Sequence, residues 1–229
     1  MQFLKLLGSA KLLIIVGLVG AIGCGSGKEG RKEPTLTERY GDVVTRRLLI
    51  ENTCKVLCNG ASGTGTLVYD NVVITANHVV VDNKLGHQVD IIDNEDDLTL
   101  GWLISYSDPI NDIAILQRPR TSSRGSRRWL GWSTDISEGT FILMAGYPWG
   151  VGPILTDGYI SKISSGSSYF WISANALPGS SGSGVYNNRG EYIGLLVRGV
   201  IRFGSWSQFT FHAVPVGRIS NRLNSLNLD

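Results

Sequence analysis

Three histidines, His78, His87 and His212, are the side chains of this 229-residue sequence whose ordinary pKa suits a base at neutral pH. A serine hydroxyl becomes a nucleophile only when such a base lies within hydrogen-bond reach and is itself oriented by a third group. Two serines, Ser180 and Ser181, stand side by side in NALPGSSGSGVYNNRG, residues 175–190. Glycines at 179, 182 and 184 open backbone conformations closed to other residues. Such a turn can aim successive N–H groups at one point and leave a hydroxyl uncrowded. The apolar WISANAL before it and GVY after it mark an embedded turn, not a free linker. His78 follows a short apolar run in VITANHVVVD and is the candidate base; a histidine hydrogen-bonded at the edge of the core is the other reading. Asp112 immediately precedes IAIL, where an acid is costly to bury unless paired. A histidine would pair it; a turn cap formed with Asn111 is the alternative. His87 sits beside an acidic segment and reads as solvent-facing, and His212, within FTFHAVP, reads as packed.

The elements that must position these groups are short. Apolar strand-like runs are expected at 50–58, 64–69, 72–75, 98–105 and 113–117, then at 140–146, 156–164, 169–173, 184–186, 192–198 and 208–214. Residues 86–93 alternate loosely, residues 35–49 form a short helix or an extended lead-in, and 215–226 close with a helix that starts at Pro215. Many short strands at even spacing, with 29 glycines and no long helical period, predict an all-β barrel or sandwich. No internal repeat of fixed period is visible.

Apolar residues make up 42% and charged residues 17%, a composition that buries a core. The net charge of +2 does not describe a nucleic-acid binder, so no nucleic-acid partner is expected. DIIDNEDD (90–97) and RPRTSSRGSRR (118–128) read as solvated loops. Cys54 and Cys58, if on one straight strand, lie about 13 Å apart at ~3.3 Å per residue, too far for a disulfide. Without nearby histidines they do not suggest a metal site.

At the N-terminus, Lys5 and Lys11 precede LLIIVGLVGAIG (12–23) and then Cys24. A positive region, a short apolar run and small residues describe a secretion signal. The run is shorter than the ~20 residues that span a bilayer core. AIGC resembles a bacterial lipoprotein box, which implies lipidation of Cys24; ordinary cleavage and an uncleaved anchor are the alternatives, and each puts the domain outside the cytoplasm. Residues 1–24 are thus read as signal, 25–40 as tether and lead-in, and 41–229 as the domain.

TANHVV, NDIAIL and LPGSSGSGV, in that order and 34 and 69 residues apart between His78, Asp112 and Ser181, resemble the three motifs of the trypsin/chymotrypsin-fold serine peptidases, nearer the HtrA-like and glutamyl-endopeptidase-like bacterial branches. SGTGTLV (62–68), GYPWG (146–150), DGYISKI (157–163) and FHAVPVGRI (211–219) resemble further segments of that family. The resemblance covers roughly residues 50–222. It implies two six-stranded antiparallel β-barrels, about 41–120 and 135–215, with a cleft between them and a short C-terminal helix.

The resemblance also implies a polypeptide substrate, no metal or cofactor, a triad of His78, Asp112 and Ser181, and an oxyanion hole from the N–H groups of Gly179 and Ser181. Ser180 is the rival nucleophile, but the motif sets the attacking serine immediately before Gly182. Asn175 falls where the family often sets its first specificity pocket, and Val197, Arg198 and Gly199 fall where bound peptide pairs. Arg198 in place of a frequent tryptophan favours acidic side chains nearby, and His212 is within reach of the pocket as in glutamate-specific relatives. Ser183 departs from the commonest motif, and the likeness to HtrA is to the catalytic domain, with no PDZ-like domain expected. A silent protease-like binding protein would require a broken triad. An α/β-hydrolase esterase would require its serine before the acid and the histidine.

Overall fold

The computed structural model describes residues 43–69, 71–80, 84–93, 98–118, 131–163, 166, 168–202 and 208–225. The signal and tether, Cys24, Asn94–Asp97 of the acidic run and the arginine run after Arg118 lie outside the described residues.

A first helix, α1 (Val43–Glu51), leads into β1 (Thr53–Cys58), β2 (Ala61–Tyr69), β3 (Val72–Ala76), β4 (Gln88–Ile92), β5 (Leu98–Asp108) and β6 (Ile113–Gln117). These close an antiparallel barrel in the order β1-β2-β3-β6-β5-β4. The next six strands are β7 (Phe141–Gly146), β8 (Ile154–Ile163), β9 (Phe170–Ala174), β10 (Gly184–Asn187), β11 (Tyr192–Arg202) and β12 (Gln208–Pro215). They close a second barrel as β7-β8-β9-β12-β11-β10, the same order six strands later. The topology therefore repeats although the sequence shows no repeat. This is the two-barrel architecture expected above.

Alternation sets the cores. Side chains of a strand point to opposite faces in turn, so one face of each strand fills the barrel. A buried cluster runs from Val56, Ile74, Ile91, Trp102 and Leu116 of the first barrel to Leu143, Tyr186, Tyr192 and Val214 of the second. A separate cluster of Met144, Ile160, Phe170, Ile172, Val185 and Phe211 fills the second barrel. Burial of such side chains stabilises by roughly 1.5–3 kcal/mol each. Arg118, read from sequence as part of a solvated loop, lies with its guanidinium 4.8 Å from the centre of the Trp102 ring.

The closing helix, α2 (Gly217–Asn224), begins two residues after Pro215, which is the last residue of β12. The expectation that Pro215 starts the helix is therefore corrected: it is the strand partner of Gly194 in β11. Helix α2 buries Ile219 and Leu223. The Arg222 guanidinium lies 5.2 Å from the centre of the Tyr106 ring of β5, so helix α2 rests on the first barrel. Cys54 and Cys58 lie buried on β1 and are not joined in a disulfide. Burial, and then the charge of Asp90, push the Cys58 thiol up.

Gly65 of β2 marks how closely the first barrel is packed. A Cβ there would meet Val73, Val56 and the Cys54 sulfur at 2.6, 2.8 and 2.9 Å. Gly65→Ala is expected to lower stability by about 1–3 kcal/mol, read as a shift of the urea midpoint without a change of slope.

Candidate active site

Asp112 reaches the site from the turn between β5 and β6, with a backbone φ of +57°. Aspartate tolerates this left-handed conformation better than most residues. The turn is preformed by Asp108, whose carboxylate accepts from the Ile110 and Asn111 N–H groups and from the Asn111 amide. His78 stands in the 3₁₀ turn Asn77–Val79 that follows β3. Asp112 holds this turn at three points. Its carbonyl accepts from the Asn77 N–H at 3.0 Å, Oδ1 accepts from the His78 backbone N–H at 2.8 Å, and Oδ2 lies 2.8 Å from His78 Nδ1. A carboxylate accepts and does not donate, so Nδ1 carries a proton, and in the neutral ring Nε2 then keeps a lone pair. Ser107 of β5 anchors the same turn, donating to the Asn77 side-chain oxygen at 2.6 Å. The Asp112 side chain is 13% exposed and that of His78 is 49% exposed, so the acid is sheltered while the imidazole faces the cleft.

The serine loop comes from the second barrel. Leu177-Pro178-Gly179-Ser180 is a turn closed by the Ser180 N–H on the Leu177 carbonyl, with Gly179 at φ +98°. Proline second and a positive-φ glycine third are the residues of a type II turn. Ser180 Oγ accepts from the Leu177 N–H at 3.3 Å, so the hydroxyl of the rival nucleophile is turned back on its own loop. A second turn follows, closed by the Ser183 N–H on the Ser180 carbonyl, with Gly182 at φ +93°.

Five successive carbonyls of this loop are held. Pro178 accepts from the Trp149 N–H at 2.7 Å, Ser180 from the Ser183 N–H at 3.0 Å and Ser181 from the Thr64 N–H at 2.8 Å. Gly179 accepts from the Thr64 hydroxyl at 2.8 Å, and Gly182 from the Thr66 hydroxyl at 3.3 Å. A trans peptide points its N–H opposite to its carbonyl. Fixing the Pro178 and Ser180 carbonyls therefore fixes where the N–H groups of Gly179 and Ser181 point. The intervening N–H groups are occupied, Ser180 on Leu177 and Gly182 on Leu196. Gly182 has to be glycine, because a Cβ would collide with the Thr64 carbonyl.

Residues 63–195, more than half of the chain, match the trypsin-like peptidase domain family. The chain belongs to that family. Over 161 residues it is 29% identical to a probable periplasmic serine endoprotease, DegP-like, of Ectopseudomonas mendocina (strain ymp), a match covering 67% of this chain. It spans only about a third of that protein, 32%. Among solved structures it resembles a serine endoprotease from Yersinia pestis, with a TM-score of 0.66, 20% identity, and coverage of 81% of this chain and 66% of the other. It also resembles an inactive form of Rv3671c from M. tuberculosis H37Rv, with a TM-score of 0.64, 18% identity, and coverage of 84% and 94%. At these identities the solved structures speak for the fold.

In this trypsin-like domain His78, Asp112 and Ser181 line one open cavity of about 490 Å³, together with Val197, Arg198 and Gly199. A second cavity, of about 210 Å³, opens beside Ser181 and is walled by Ala176, Leu177, Pro178, Leu196 and Phe211, with Arg198 and Gly199 also on its lining. Two expected pocket residues, Asn175 and His212, are not on the lining of this second cavity. Asn175 lines a different cavity, of about 130 Å³, with Met144, Ile154 and Thr156, because the chain leaves β9 at Ala174 and it is Ala176 that turns inward. His212 is not among the lining residues. Neighbours on a strand face opposite ways, so Phe211 takes the pocket side. The His212 ring lies 4.5 Å from that of Trp171 and 6.0 Å from that of Tyr169, between centres. Thr64, Trp149, Leu196 and Phe211 were not singled out from sequence. A buried threonine between two glycines in SGTGTLV was the available signal for the first of them.

Burial, and then the positive charge of Arg198, hold the His212 imidazole below its ordinary value of 6.5. The unfolded chain then takes up a proton that the folded state resists. This contribution to stability is present above pH 6.5 and is lost as pH falls through that value toward the lowered one. Wild-type melting temperature is expected to fall between pH 7 and pH 5, and to fall less in His212→Phe, as followed by circular dichroism.

Proposed function

We propose that this domain is a serine endopeptidase in which Ser181 attacks, His78 is the base and Asp112 orients it. What carries the reading is the grip of the Asp112 carboxylate on both the ring and the backbone nitrogen of His78, with Ser181 lining the same cavity. His78 Nε2 takes the Ser181 proton as Oγ bonds to the peptide carbonyl carbon. The N–H groups of Gly179 and Ser181 receive the developing oxyanion. The C–N bond then breaks as His78 returns the proton to the leaving amine, and an acyl-enzyme remains. Water, deprotonated by His78, attacks that ester and releases Ser181. The printed name of the DegP-like relative, a serine endoprotease, points the same way.

The substrate is read as a polypeptide laid along β11. Strand β10 pairs with β11 only as far as Leu195, while β11 continues past Gly199. The edge of Val197–Gly199 away from β12 is therefore open to a strand of substrate, with main-chain hydrogen bonds supplying affinity. The cavity beside Ser181 has a mostly apolar wall of Ala176, Leu177, Pro178, Leu196 and Phe211, which favours an uncharged apolar side chain before the cleaved bond, while Arg198 on the same lining is what remains in favour of an acidic one. An extracytoplasmic location with a lipid on Cys24 completes the reading, supported by the N-terminal run and by the periplasmic relative.

Ser181→Ala is expected to abolish fluorophosphonate labelling while leaving the melting curve unchanged, whereas Ser180→Ala still labels. Asp112→Asn is expected to lower kcat on the order of 10⁴-fold. Mass spectrometry of products from a peptide library, with Ser181→Ala as control, is expected to show cuts after apolar residues. Undiminished labelling of Ser181→Ala would remove Ser181 from its role, and cuts after acidic residues would overturn the pocket assignment. Growth with labelled fatty acid is expected to mark Cys24, and label absent from that cysteine would refute the anchor.

A further inference from the structure

Thr64 belongs to the first barrel, 115 positions before Gly179, yet it touches the serine loop twice. Its backbone N–H donates to the Ser181 carbonyl at 2.8 Å. Its hydroxyl donates to the Gly179 carbonyl at 2.8 Å and accepts from the Tyr147 N–H at 2.9 Å. Tyr147 opens the turn whose next residue but one, Trp149, holds the Pro178 carbonyl. Thr75 Oγ1 in turn donates to the Thr64 carbonyl at 2.8 Å, so every polar group of Thr64 is engaged. Thr64 is fully buried.

From this we infer that the Thr64 hydroxyl is a positioning residue for the oxyanion hole. It ties the carbonyl on the C-terminal side of Gly179 to the Tyr147 N–H. That same turn, through Trp149, fixes the carbonyl on the N-terminal side of Gly179. The glycine at φ +98° is the flexible point of the loop, and both peptide planes flanking it are set by these two bonds. With the hydroxyl gone, the plane between Gly179 and Ser180 keeps only the Ser180 N–H bond to the Leu177 carbonyl, and the Tyr147 turn that carries Trp149 loses its anchor on β2. The Pro178 carbonyl is then held less firmly, and the Gly179 N–H in the same peptide plane spends part of its time turned from the carbonyl oxygen it must stabilise. Such a loss acts in the transition state, where charge develops, more than in the bound substrate.

This inference rests on the peptidase reading above and is tested on full-length protein with the best substrate from the library. Thr64→Val replaces the hydroxyl by a methyl of the same shape, Thr64→Ala leaves room for a water, and Thr64→Ser restores the hydroxyl. Removal of one oxyanion donor costs about 10²–10³ in kcat, and a misdirected donor less. The expected result is a fall in kcat of about 10- to 100-fold in Thr64→Val, with KM within about 3-fold and recovery in Thr64→Ser. Affinity for a peptide boronate is expected to fall in parallel with kcat. Affinity of the same peptide for the Ser181→Ala protein is expected to stay unchanged when Thr64→Val is added. Hydrogen exchange of the 177–182 segment is expected to speed up in Thr64→Val, a readout that requires no activity. A folded Thr64→Val or Thr64→Ala with wild-type kcat, a loss carried by KM, unchanged exchange, or failure of both variants to fold would each overturn the inference. Wild-type protein that neither cleaves peptides nor labels would refute the peptidase reading, and the exchange experiment would still decide the role of Thr64.

Discussion

The serine loop is built from the second barrel but held in shape by the first. Thr64 and Thr66 of β2 take three of the five successive carbonyls between Pro178 and Gly182. A loop containing two glycines at positive φ has high conformational freedom in isolation, and ordering it is costly. The cross-barrel bonds offset that cost because they are buried and their donors are already fixed in a strand. Close packing also accounts for the glycines at 63, 146 and 182. A side chain at Gly182 would strike the Thr64 backbone of the other barrel, whereas one at Gly63 would strike Val79 and one at Gly146 would strike Ser183 within their own barrels.

The two barrels share a strand order but not a task. The first presents an acid and an imidazole on a rigid turn, gripped by Asp112 and braced by Ser107 and Asn77. The second presents the serine, the open edge of β11 and the apolar cavity. Their joint is also clasped on the other side of the cleft, where the Tyr169 hydroxyl donates to the Ile110 carbonyl beside the Asp112 turn at 3.1 Å. The core cluster that passes from Trp102 to Tyr186 and Tyr192 makes the joint apolar beneath these polar clasps.

Much of this was legible in the residue string. Apolar runs bounded by glycine and polar turns located eleven of the twelve strands, with ends off by a few residues, because burial on alternate faces leaves a direct imprint on composition; β4 showed only as the loose alternation of 86–93. That His78, Asp112 and Ser181 come together was legible from their motifs, and the three residues do line one cavity. What was not legible depends on side-chain direction. Phe211 and His212 are adjacent in sequence, and which one faces the cavity is set by the phase of β12 against its neighbours, with a bulge opposite it in β11. Asn175 and Ala176 pose the same problem at a strand end. Thr64 was hidden for another reason: its partners lie 83 and 115 positions away, and no local pattern marks a hydroxyl that bridges them.

The placement of Thr64 has a further consequence for when the protein becomes competent. The strand that shapes the loop is made early, and the loop itself emerges only after most of the second barrel has been synthesised. Until the halves dock, Ser181 sits in a slack ribbon with no preset donors around it. In a nascent or half-unfolded chain the loop therefore lacks the Thr64 and Thr66 bonds that shape it, and docking of the two barrels is what sets its geometry.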